Sequence, residues 1–126
     1  MRALFVDDEV EFLELMQKRL ARRGMDVAVA PDGQSALDLL DQALQPGGDM
    51  FQIVVMDVRM PGMDGLETLR HMKQKAPKLP VILLTGHACM GVAVQGLDLG
   101  AYDYMLKPVA ISELIIKMEE AARSAV

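Results

Sequence analysis

Five short apolar runs alternate along this chain with five segments of helical period, and that order admits few folds. The runs cover residues 3–6, 26–30, 51–56, 81–84 and 103–106, each of strand rather than helix length. Residues 10–23 carry Val10, Leu13, Met16 and Leu20 at spacings of three and four, which marks one helical face. Arg19, Arg22 and Arg23 crowd the end of that segment and Gly24 follows, the usual chemistry of a helix C-terminus. Residues 34–44 repeat the pattern through Leu37, Leu40 and Leu44, and Leu66, Leu69 and Met72 mark a third helix closed before Pro77. Residues 89–99 are a weaker helix, because Gly91 and Gly96 interrupt them. Ile111, Leu114, Ile115, Met118 and Ala122 form the cleanest stripe, on a last helix. Turns fall at Pro31-Asp32-Gly33 and at residues 61–65, and residues 45–50 read as a surface insertion before the third run. Strands that alternate with helices must run parallel, since only a crossover long enough to hold a helix joins parallel neighbours. The expected fold is therefore an α/β doubly wound parallel sheet with helices on both faces and right-handed crossovers. The run at 26–30 alternates rather than staying wholly apolar, as a strand near the sheet edge does.

The 126 residues suffice for one core and not for two, and no repeat, low-complexity tract or linker divides them, so residues 1–126 read as a single domain. Apolar residues at 52% argue against disorder. No apolar stretch reaches the roughly 18–20 residues of a membrane span, and the run before Asp7 is too short for a signal peptide. A single cysteine, Cys89, rules out an internal disulfide framework and suits a reducing compartment, so the expected location is the cytoplasm. A net charge of −5 and a pI near 4.9 argue against direct contact with nucleic acid.

Polar residues that carry chemistry fall at the ends of the runs. Asp7 and Asp8 close the first, Asp57 the third, Thr85 the fourth and Lys107 the fifth. In an open parallel sheet, ligands bind beyond the carboxyl ends of the strands. Were the first and third strands neighbours, three carboxylates would meet there and repel one another, a conflict that a hard divalent cation resolves. Few carboxylates with retained waters suit Mg²⁺, which expects phosphate oxygens as further ligands. A carboxylate nucleophile, a hydroxyl donor and a cation suit phosphoryl chemistry. Each residue alone also has a plainer reading: Asp7-Asp8 as a helix cap, Asp57 and Thr85 as turn starts, Lys107 as a solvated lysine. Their joint placement at four strand ends favours the chemical one.

Val6-Asp7-Asp8-Glu9, residues 55–65 from Val55 through Met56-Asp57-Val58-Arg59-Met60-Pro61-Gly62 to Gly65, Leu84-Thr85-Gly86, and residues 100–108 ending in Lys107-Pro108 together resemble the response regulator receiver domain of two-component signalling. The resemblance spans essentially the whole chain. It implies a flavodoxin-like five-stranded sheet in the order 2-1-3-4-5. It implies Asp57 as the acceptor of a phosphoryl group from a sensor histidine kinase or phosphotransfer protein. It also implies Mg²⁺ held by Asp8, Asp57 and the Arg59 carbonyl, with Asp7 acting through a water. Thr85 and Lys107 are implied as partners of the phosphoryl oxygens, and Tyr104 as the aromatic switch. The face made by the fourth helix, fifth strand and fifth helix is implied to change its preference for an output partner or a second copy. The resemblance also implies that Arg59, Gly86 and His87 occupy positions that tune dephosphorylation, and that Lys107-Pro108 is a candidate cis peptide.

Other classes fit less well. An aspartyl-phosphate phosphatase would need an acid two residues after the nucleophile, where Arg59 stands. A flavin module needs a phosphate-cradling loop after the first strand, where Asp7-Asp8-Glu9 would repel phosphate. A degenerate receiver serving only as a protein-interaction module is the alternative, and retention of Asp8, Asp57, Thr85 and Lys107 argues against it. His71 and Cys89 read as surface and structural residues. Met16, Met56, Met72 and Met118 fall on core positions, and Ile116 lies off the core stripe of its helix.

Overall fold

The computed structural model describes residues 1–59 and 64–125. The turn expected at 61–65 lies largely outside the described residues. Strands β1 (Arg2–Val6), β2 (Asp26–Ala30), β3 (Ile53–Asp57), β4 (Val81–Thr85) and β5 (Asp103–Leu106) alternate with helices α1 (Val10–Ala21), α2 (Gly33–Ala43), α3 (Gly65–Lys75), α4 (Met90–Asp98) and α5 (Ile111–Ser124). All strand pairs are parallel, in the order β2-β1-β3-β4-β5. β2 is an edge strand, as its alternation suggests, and β5 is the other edge.

β1, β3 and β4 are apolar at nearly every position and buried throughout their lengths, apart from half-buried Arg2. A strand buried on both faces needs no polar alternation. The period of two survives in what each residue touches. Leu4, Val6, Val54, Met56, Val81 and Leu83 pack on one face with α2, α3 and Ala93 of α4. Ala3, Phe5, Ile53, Val55, Ile82 and Leu84 pack on the other with α1 and α5.

The helices begin and end where local chemistry dictates. Asp32 and Asp64 accept hydrogen bonds from the Ser35 and Glu67 amides at 2.7 and 2.8 Å, the N-cap interaction that satisfies orphan donors. α1 stops at Ala21, two residues short of the expected end, and Gly24 turns the chain at φ +80°. Val10 and Leu44, expected on buried stripes, are exposed, because they sit at the extreme ends of their helices where the sheet no longer covers them. On α5 the buried alanine is Ala121 rather than Ala122. The weak fourth helix is preceded by a 3-10 turn, His87–Cys89. Residues 44–49 are exposed, and Lys107-Pro108 is cis. Among the described residues no helix is long and apolar enough to cross a membrane.

Gly65 stands against the end of β3, its amide donating to the Val58 carbonyl at 3.2 Å. A Cβ there would meet Val58 Cα at 2.6 Å and the Val58 and Asp57 carbonyl oxygens at 2.8 and 2.9 Å. These are backbone atoms beside the candidate site and cannot swing away. Gly65→Ala should therefore cost about 1–3 kcal/mol in urea denaturation. Gly91, where an added methyl group would find open space out to 4 Å, is the control. There alanine should add about 0.5–1 kcal/mol through helix propensity. Equal effects at the two positions would sink the packing argument.

Candidate functional site

The parity that sorts the core also sorts the strand ends. Asp7 follows Ala3 and Phe5 in register, and Asp57 follows Ile53 and Val55, so both carboxylates continue the α1/α5 face. β1 and β3 are hydrogen-bonded neighbours with Val6 opposite Met56, which places the residues after these two side by side. On β5, Met105 packs toward the same face and Lys107 is two residues on. Lys107 reaches back across the sheet edge, its Nζ 2.6 Å from Asp7 Oδ2, 3.1 Å from Asp57 Oδ2 and 3.4 Å from Glu9 Oε1. The remaining oxygens of the two buried carboxylates accept backbone amides: Asp7 Oδ1 from Glu9 at 2.9 Å and Asp57 Oδ1 from Arg59 at 3.0 Å.

Asp8 is exposed at the rim, and one carboxylate oxygen from each of Asp7, Asp8 and Asp57 lies within 4.8 Å of the others. Three hard anionic oxygens, one open to water, fit a small divalent cation that keeps part of its hydration shell. Without one, Lys107 is the counter-charge for two of the three.

Thr85 and Tyr104 belong to the opposite parity. Thr85 is fully buried at the end of β4 and its hydroxyl donates to the Gly86 carbonyl at 3.0 Å, not to Asp57. Tyr104 is half-buried against the α2–α4 core, paired in register with Leu83. The two strands are tied at the site by the Lys107 amide, which donates to the Thr85 carbonyl at 2.8 Å. Arg59, Gly86 and His87 are exposed around the rim. So the structure brings together Asp7, Asp8, Asp57 and Lys107, and sets Thr85 and Tyr104 just behind them on the α4 side.

Two residues at the site were given no role there by the sequence reading. Glu9 adds a third carboxylate to Lys107. Phe12 of α1 lies beneath the Lys107 ammonium, 4.7 Å from ring centroid to Nζ. Glu9, the N-cap of α1, and Phe12, three residues on, both reach Lys107 from the start of that helix.

Burial raises the Asp7 carboxyl above its ordinary value, outweighing the lowering by Lys107 and by the Glu9 amide, with the Asp57 charge raising it further. Burial by itself would lower Lys107, but hydrogen bonds to Asp7 and Asp57 prevail and hold it above the usual lysine range. The ammonium therefore stays charged, and the cost of burial falls on Asp7. An acid whose folded-state value is raised binds its proton more tightly folded than unfolded, so its contribution to stability falls as pH rises from the ordinary 3.8 through the raised value. In metal-free buffer, the stability of Asp7→Asn relative to the parent should climb with pH across that window. Thermal unfolding at a series of pH values measures it, and a flat difference would refute the burial argument.

The profile of the response regulator receiver domain family matches residues 3–119. The response regulator MprA of Mycolicibacterium vanbaalenii is 38% identical over 122 residues, 97% of this chain and 50% of that protein. A response regulator receiver domain from Clostridium thermocellum superposes with a TM-score of 0.90 at 28% identity, covering 98% of this chain and 94% of that one. The receiver domain of NtrX from Brucella abortus superposes with a TM-score of 0.84 at 33% identity, covering 96% and 98%. The chain spans about half the length of the curated relatives it matches. A sheet in the order 2-1-3-4-5, an aspartate cluster at the carboxyl ends of its strands, and a family match over nearly the whole length lead to one assignment: the chain belongs to the response regulator receiver domain family of two-component systems.

Proposed function

We propose that this chain is a phosphorylation-controlled signalling switch in which Asp57 accepts a phosphoryl group from a phosphohistidine on a sensor histidine kinase or phosphotransfer protein. The observation that carries this reading is the convergence of Asp7, Asp8 and Asp57 at one sheet edge, with Lys107 bonded to two of them. A carboxylate oxygen of Asp57 attacks phosphorus, the P–N bond to imidazole breaks, and an acyl phosphate forms. The Arg59 amide orients the attacking carboxylate through its other oxygen. Lys107 is protonated and already beside Asp57, so it can meet a phosphoryl oxygen without reorganising charge.

Asp8, Asp57 and the Arg59 carbonyl would hold Mg²⁺, with Asp7 through a water, and the ion would neutralise charge on the transferring group. The acyl phosphate offers new acceptors. Thr85 then exchanges its bond to the Gly86 carbonyl for a phosphoryl oxygen, and Tyr104 turns inward behind it. The face of α4, β5 and α5 shifts between two states and changes its affinity for an output partner or a second copy. Arg59, Gly86 and His87, exposed at the rim, set how readily water reaches the acyl phosphate.

Catalysis in this reading is confined to the domain's own phosphotransfer and autodephosphorylation. We place the domain, residues 1–126, in the cytoplasm, and the acidic surface assigns any contact with DNA to another domain or partner. Incubation with Mg²⁺ and acetyl phosphate should add one phosphoryl group to the intact mass. The adduct should be absent in Asp57→Asn, and removing Mg²⁺ with a chelator should abolish it in the parent. Absence of an adduct on the folded parent would favour the degenerate, interaction-only alternative.

A further inference from the structure

Phe12 presents its ring to the Lys107 ammonium at 4.7 Å. The ring is not placed there by the lysine. Phe12 is half-buried and packs against the α1/α5 core, so the helix and core set its position. Lys107, by contrast, is a long flexible side chain at the end of an edge strand, with 20% of its side-chain surface exposed. A lysine holds its charge as a compact group on four rotatable carbons, and ordering it has an entropic cost. The carboxylates of Asp7, Asp57 and Glu9 accept hydrogen bonds from the ammonium. The negative face of an aromatic ring attracts the same cation from another side.

We propose that Phe12 is a positioning residue for phosphoryl transfer: its ring holds the Lys107 ammonium in the fork between Asp7 and Asp57. This rests on the reading of Asp57 as phosphoacceptor. With the ring present, Lys107 waits where charge develops on the phosphoryl oxygens. With a merely apolar residue there, the carboxylates alone hold the lysine, and its order is weaker. The contact also links the site to α1, since Phe12, Leu15 and Arg19 line one cleft with Lys107 and Pro108.

The test compares Phe12→Leu, which keeps apolar packing and removes the π face, with Phe12→Tyr, which keeps both. With Mg²⁺ and acetyl phosphate, intact-mass time courses should show Phe12→Leu phosphorylated about two- to fivefold more slowly than the parent, the span of an ordinary cation–π contact. Phe12→Tyr should run near the parental rate. A nucleus above an aromatic face is shifted upfield in NMR. The Lys107 ε-methylene and ammonium resonances should therefore lie upfield in the parent and in Phe12→Tyr, and move downfield in Phe12→Leu. A parental rate in Phe12→Leu, or a Phe12→Tyr as slow as Phe12→Leu, overturns the proposal. If the parent itself takes no phosphoryl group, the phosphoacceptor reading fails. The ring-current comparison then decides whether Phe12 holds Lys107 at all.

Discussion

Two buried carboxylates side by side at the edge of a parallel sheet require a cation, and the rest of this site is arranged around that requirement. Asp7 and Asp57 are brought together because β1 and β3 are neighbours. Neither can move apart without breaking the ladder that builds the core. Lys107 meets the need from the far edge of the sheet, a hundred residues along the chain from Asp7. Its reach depends on β5 pairing with β4 and on the Lys107 amide being tied to the Thr85 carbonyl. Helix α1 completes the enclosure, with Glu9 and Phe12 adding a carboxylate and a ring.

The same parity that gathers the charges separates them from the elements that would report on them. Asp7, Asp57 and Lys107 continue the α1/α5 face, whereas Thr85 and Tyr104 continue the face covered by α2, α3 and α4. In the proposed switch, a charge added at Asp57 is felt across the sheet through Thr85. Among the described residues its hydroxyl is bonded to the neighbouring Gly86 carbonyl, a local bond that a stronger acceptor can displace. Beyond it, α4 exposes Met90, Val92, Val94 and Leu97, the apolar part of the face that the proposed switch would present to a partner.

Much of this was legible in the residues. Short apolar runs broken by helical stripes allowed only parallel strands with crossovers, and Asp7, Asp8, Asp57, Thr85 and Lys107 stood at the strand ends by inspection. Where the reading missed, helix ends and helix faces were at fault. Val10, Leu44 and Ala122 fit an apolar stripe as well as their buried neighbours do, because periodicity counts spacing and is blind to where the sheet stops. Phe12 was not singled out, since nothing in the local pattern tells a ring that fills a core from one that also faces an ammonium.

The sequence by itself determined the order of elements, their parallel sense and the residues available at the carboxyl ends of the strands. These follow from local propensity and from the length of the connections. Only the tertiary structure decided which face of the sheet each helix covers, which strand ends meet, and that one lysine spans two carboxylates above an aromatic ring. Those choices are non-local. A strand apolar at every position carries no mark of its two faces, and the pairing of distant strands, not the residues within each, sets which charges must share a cation.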